Sequence, residues 1–97
     1  MAHFILTYRI ADDYAERRTA YRQAHLAYAW AAAERGELLL GGAVGDPPSG
    51  AMLLFTDGQA AEEFARADPY VAAGIVTGWE VKPWITVVGE DAANPVQ

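Results

Sequence analysis

A chain of 97 residues, 53% of them hydrophobic and 21% charged, has room for one core and too little polarity to be disordered. Its net charge of −6 repels phosphate backbones and anionic lipid, which argues against a nucleic-acid partner. No apolar run approaches the roughly 20 residues of a membrane span. The start, Met1 to Ile5, reads as a strand without the basic region and long apolar stretch of a signal peptide, and cysteine is absent, so a cytoplasmic location is the simplest expectation. The apolar surplus exceeds what so small a monomer hides easily, which predicts burial in a homodimer.

Residues 3 to 10 alternate, with Phe4, Leu6, Tyr8 and Ile10 on one face and Ile5, Thr7 and Arg9 on the other, as a strand requires. Asp12 or Asp13 then caps a helix, with Glu16 in capping-box spacing to Asp13. From Tyr14 to Arg35 there is neither proline nor glycine, and Gly36 stops the helix. Leu38 to Val44 is a short apolar second strand, and its Gly41-Gly42 pair lets something approach the backbone closely. The turn Gly45-Asp46-Pro47-Pro48-Ser49-Gly50 leads into a third strand, Ala51 to Thr56. Asp57 caps a second helix over about 59–67 with Ala61, Phe64 and Ala65 on its apolar face, and Asp68-Pro69 opens one more helical turn. A final strand is predicted from Trp79 to Val88, with Trp79, Val81, Ile85 and Val87 facing one way and Trp84 and Val88 the other. The domain is thus expected over 1–88 and a polar tail over 89–97.

Strand, helix, strand, strand, helix, strand is the order of an α+β, ferredoxin-like βαββαβ protomer. Two helices cover one face of a four-stranded antiparallel sheet, and a second copy is the simplest cover for the other.

Chemistry near neutral pH has few residues to rest on, since the only histidines are His3 and His25. Arg18, Arg22 and His25 stand at i, i+4 and i+7 and share one side of the first helix. Facing a cleft, the arginines would anchor an anionic group and favour the uncharged imidazole that a general base needs. Facing water, they are a solvated basic stripe, and spacing does not decide between the two. Asp68 reads equally as a helix cap and as the carboxylate that orients a histidine. Ser49, the only serine, sits in turn chemistry, and His3 belongs to a strand entrance. Two separated histidines without cysteine lack the ligand count of a transition-metal site, so no metal or organic cofactor is expected. Trp79 and Trp84 read as core or interface.

Arg22-Gln23-Ala24-His25-Leu26-Ala27-Tyr28, Gly36-Glu37-Leu38-Leu39-Leu40-Gly41-Gly42, Ala67-Asp68-Pro69-Tyr70-Val71-Ala72-Ala73-Gly74 and Trp79-Glu80-Val81-Lys82-Pro83-Trp84 together resemble the YciI-like (YCII-related) family, in the family's order. The resemblance implies a dimeric α+β barrel and a site in which a histidine and an aspartate, matching His25 and Asp68, act as acid and base. It also implies elimination or isomerisation of small ring compounds: a chlorohydroxyquinol dehydrochlorinase is a member, and muconolactone isomerase shares the broader fold. Arg22, Arg18, Tyr28 and Tyr70 are the expected substrate-binding residues. The chain departs from the family in Gln23, where proline is common, and in its short Gly45-to-Gly50 loop, both of which bear on pocket shape. The competing reading is a non-catalytic small-ligand-binding or interaction protein on the same dimeric scaffold, with His25 and Asp68 serving packing and capping.

Overall fold

A computed structural model describes residues 1–97. Its elements are β1 (Phe4–Ile10), α1 (Tyr14–Glu34), β2 (Leu38–Val44), β3 (Gly50–Phe55), α2 (Gly58–Ala67), α3 (Pro69–Ala72) and β4 (Val76–Pro83). The strands form one antiparallel sheet in the order β2-β3-β1-β4. This is the α+β, ferredoxin-like arrangement expected from the order of elements.

The two-residue period of β1 sorts its side chains as predicted. Leu6 and Tyr8 are buried under the helices, while Thr7 and Arg9 are exposed on the opposite face. Leu53 and Phe55 of β3 join them, as do Ala61, Phe64 and Ala65 of α2, with Phe64 tilted against Phe55 at 5.3 Å. Asp57, in the extended conformation of an N-cap, accepts from the Ala60 amide at 3.1 Å. Asp13 does not cap α1. Its φ of −100° and ψ of 24° turn the carboxylate away from the free amides, and it lies 3.6 Å from Arg17 instead. Gly36 follows the helix with φ +80°, the left-handed geometry glycine adopts without steric cost.

The last strand is displaced from its predicted bounds, running over Val76–Pro83 instead of 79–88. Trp79 and Val81 do pack against the core, but Ile85 is 67% exposed and Val88 84%. The register explains the early end: Pro83 pairs with Phe4, the first residue of β1, so the chain beyond it runs off its partner. Trp84 adds one amide bond to the His3 carbonyl, after which residues 86–96 fold back on themselves through Ala93, Asn94 and Val96 amides.

Only 17 of 97 residues are buried, because all three helices lie on one side of the sheet. The other side leaves Leu40, Met52 and Trp84 exposed beside the half-buried Ile5 and Leu54. No helix is long and apolar enough to cross a membrane.

Candidate functional site

Asp68 is the hinge of the site. It ends α2 and starts α3, and its Oδ1 accepts from the Tyr70 amide at 3.0 Å, the ordinary work of an aspartate before proline. Most capping carboxylates face water, but this one has no exposed surface at all. A buried carboxylate needs its lone pairs met. Here Oδ1 also receives His25 Nδ1 at 2.8 Å, and Oδ2 receives the Tyr8 hydroxyl at 2.7 Å. Capping and orienting, compatible readings of Asp68 in the sequence, fall to the same group.

An ionised carboxylate only accepts, so the His25 proton on this bond is assigned to Nδ1. Nε2 then carries the lone pair and makes no hydrogen bond within the chain. The imidazole lies flat on the Tyr70 ring, with centroids 3.9 Å apart and planes 6° from parallel. Tyr70 in turn meets the edge of Tyr14 at 6.0 Å, and the Arg18 guanidinium stands 5.3 Å above the Tyr14 ring. Carboxylate and stacking together hold the imidazole in one orientation.

The histidine opens onto a cleft of about 420 Å³ between α1 and the β2–β3 hairpin. The cleft exists because small residues face one another: Ala29 and Ala33 on the helix stand opposite Gly41 and Ala43 on the strand. A side chain at Gly41 would come within 3.2 Å of Leu53, so the floor admits no Cβ without displacing its neighbour. Arg18, Arg22 and His25 all line the cleft, as one face of α1 requires. No aspartate or glutamate lines it, although acidic residues outnumber basic ones by 13 to 7 in the chain. Leu26, Leu39 and the exposed Trp30 complete an apolar wall.

Tyr70 also lines the cleft, and its hydroxyl is buried without a hydrogen-bond partner. Burial raises its pKa, with Tyr14 adding to the effect and Arg22 and Arg18 pulling against it. Leaving such a group unpaired costs about 1–3 kcal/mol. Tyr28, expected beside these residues, lies elsewhere. Its ring packs on Phe64 and its hydroxyl donates to the Phe64 carbonyl at 3.0 Å, on the α2 side of the helix. His3 is likewise remote, buried at the start of β1 with Nδ1 2.7 Å from Thr86 Oγ1. Nowhere do three or more histidine, aspartate or glutamate side chains converge to hold a metal ion.

Tyr8 is the member of the site that sequence reasoning passed over. Burial, then the charge of Asp68, then the hydrogen bond to it, push the Tyr8 pKa far above its ordinary value and keep it a donor. The available signal was a phenol among Phe4, Leu6 and Ile10 on an inward-facing strand, where a buried hydroxyl needs a partner.

No curated protein matches the chain in sequence. Among solved structures it is similar to 5-chloro-2-hydroxyhydroquinone dehydrochlorinase from Burkholderia phenoliruptrix AC1100, determined with 2,5-dihydroxybenzoquinone, at a TM-score of 0.69 and 20% identity over 87% of this chain and 94% of that one. A NIPSNAP family protein from Agrobacterium tumefaciens C58 aligns at a TM-score of 0.56 and 15% identity over 95% and 96% of the two chains. Identities this low show a common fold. The sequence model of the YCII-related domain, however, matches residues 1–85, nearly the whole chain, and the protein therefore belongs to the YCII-related domain family.

Proposed function

We propose that the protein is a cofactor-independent acid/base enzyme acting on a small, oxygen-bearing organic ring by elimination or isomerisation. The observation that carries this reading is the Tyr8–Asp68–His25 chain of hydrogen bonds, ending in an unpaired Nε2 on an apolar cleft that holds two arginines and no carboxylate. Nε2 of His25 takes a proton from an acidic O–H or C–H of the ring. The buried Asp68 carboxylate steadies the imidazolium that forms, as the third member of a triad does. Arg22 and Arg18 hold the negative charge left on the substrate. In an elimination that charge expels a leaving group from the neighbouring carbon, and in an isomerisation the imidazolium returns its proton at another carbon.

The proposed protomer works as a cytoplasmic homodimer packed sheet to sheet. Its accessible surface of 6130 Å² exceeds the about 5,400 Å² typical of a monomeric protein of 10.5 kDa, and the excess includes the apolar residues of the uncovered face.

The test uses 5-chloro-2-hydroxyhydroquinone, the substrate named for the similar dehydrochlorinase, with chloride release as the readout. His25→Asn keeps a donor close to the Asp68 carboxylate and removes the base. It is expected to lower turnover by about 10²–10⁴-fold, the range for loss of a general base. Turnover unchanged in the folded variant would refute the role of His25.

A further inference from the structure

The Tyr70 hydroxyl is out of keeping with the rest of the site. Tyr8 and His25 have their donors met by Asp68, whereas the buried Tyr70 hydroxyl, on a residue that lines the cleft, has no acceptor for its hydrogen, and the side chain acting on its oxygen is Arg22, itself a donor. Natural proteins seldom leave a buried hydroxyl in this state, and where they do a functional role is one of the few explanations. Its position is fixed, since the ring is stacked on His25 on one side and meets Tyr14 edge-on on another, so only the hydroxyl hydrogen is free to turn. The charged groups close enough to influence it are Arg22 and Arg18, both cations. With both of these charges positive, an acceptor placed beside the hydroxyl is favoured when it is negative.

We infer that Tyr70 is a specificity-determining residue that donates a hydrogen bond to an ionised oxygen of the ligand, with Arg22 pairing to the same oxygen from the solvent side. The ligand class is a single planar ring bearing a phenolate-type or enolate-type oxygen. A cleft of about 420 Å³ has ample room for one such ring. Because the Tyr70 and His25 rings are stacked, an oxygen held by Tyr70 places the ring edge beside Nε2. This assignment deepens the proposed function and rests on the same cleft.

Two measurements test it without turnover. The first is binding of 2,5-dihydroxybenzoquinone and of 2,5-dimethylbenzoquinone, in which methyl groups replace the ionised oxygens, to the wild-type protein and to Tyr70→Phe. The wild type is expected to prefer the dihydroxy ring by about tenfold or more, the effect of one hydrogen bond to a charged group. Tyr70→Phe is expected to lower that preference by about tenfold, the share that Arg22 supplies being kept, while binding the dimethyl ring as before. The second is thermal unfolding of the free variant. Removing an unpaired buried hydroxyl leaves the melting temperature unchanged or higher, whereas removing a satisfied one lowers it. Equal binding of the two rings by the wild type, a preference undiminished in Tyr70→Phe, or a lowered melting temperature of the variant each overturns the assignment. Loss of chloride release in His25→Asn alongside any of these would leave the base in place and remove only Tyr70.

Discussion

Truncating Asp68 should destabilise the fold far more than a surface aspartate would, and the pattern across two substitutions is specific. In Asp68→Ala three donors lose their acceptor: the Tyr8 hydroxyl, the Tyr70 amide and His25 Nδ1. His25 keeps partial access to water, with 15% of its side chain exposed, but Tyr8 is only 2% exposed and Tyr70 3%. Two buried unpaired donors cost about 1–3 kcal/mol each, and relief from burying a charge offsets part of this, so a net loss of about 2–4 kcal/mol is expected. Asp68→Asn behaves differently because Oδ1 alone serves both the Tyr70 amide and His25. An amide oxygen placed there keeps both bonds and the Nδ1–H tautomer, while the amide nitrogen faces Tyr8, whose hydroxyl turns to accept. The bonds become neutral, for a net loss of about 1 kcal/mol. Urea unfolding at neutral pH measures both losses, and nitrogen-15 NMR of His25 reads the tautomer. Asp68→Ala within 0.5 kcal/mol of the wild type, on the scale of about ±0.5 kcal/mol for neutral surface changes, would refute the reasoning. So would Asp68→Asn proving as costly as alanine.

Alkaline pH should unfold the protein through Tyr8. In the unfolded chain this phenol ionises near its ordinary value of 10.0, whereas in the folded chain it stays protonated well above it. Above pH 10 the unfolded state therefore binds fewer protons, and stability falls by up to about 1.4 kcal/mol per pH unit for this one group, with no contribution below pH 10. Tyr8→Phe is expected to be less stable at pH 7 yet to lose less between pH 10 and 12, as urea unfolding at each pH would show; parallel slopes for the two proteins would contradict it. The uncovered sheet face gives a further expectation. Leu40→Asp together with Met52→Asp places charges where the wild type exposes apolar side chains, and should convert a dimer into folded monomers in sedimentation equilibrium. A wild type that sediments as a monomer, or a double variant that remains dimeric, would exclude this face as the interface.

Local chemistry explains why so much of the fold was legible in the chain. The alternation of β1, the glycine at 36, the Asp57 cap and the Asp68-Pro69 turn each follow from the preferences of a few neighbouring residues, and each stands where expected. Asp13 shows the limit, since an aspartate before a helix caps it only when its own backbone is extended. The end of β4 shows another: how far a strand runs depends on where its partner begins, and Phe4 is distant in sequence from Pro83. The site divides in the same way. Helical spacing alone put Arg18, Arg22 and His25 on one side of α1, but whether that side meets water or a cleft was settled by α1 lying against β2. Tyr28 was expected to join them as a substrate-binding residue, and packing sent its hydroxyl to Phe64. The tertiary structure alone brought β1, α1 and the α2–α3 corner to one buried carboxylate, because the donors that a charge without water must find came from Tyr8 and His25, 60 and 43 residues away.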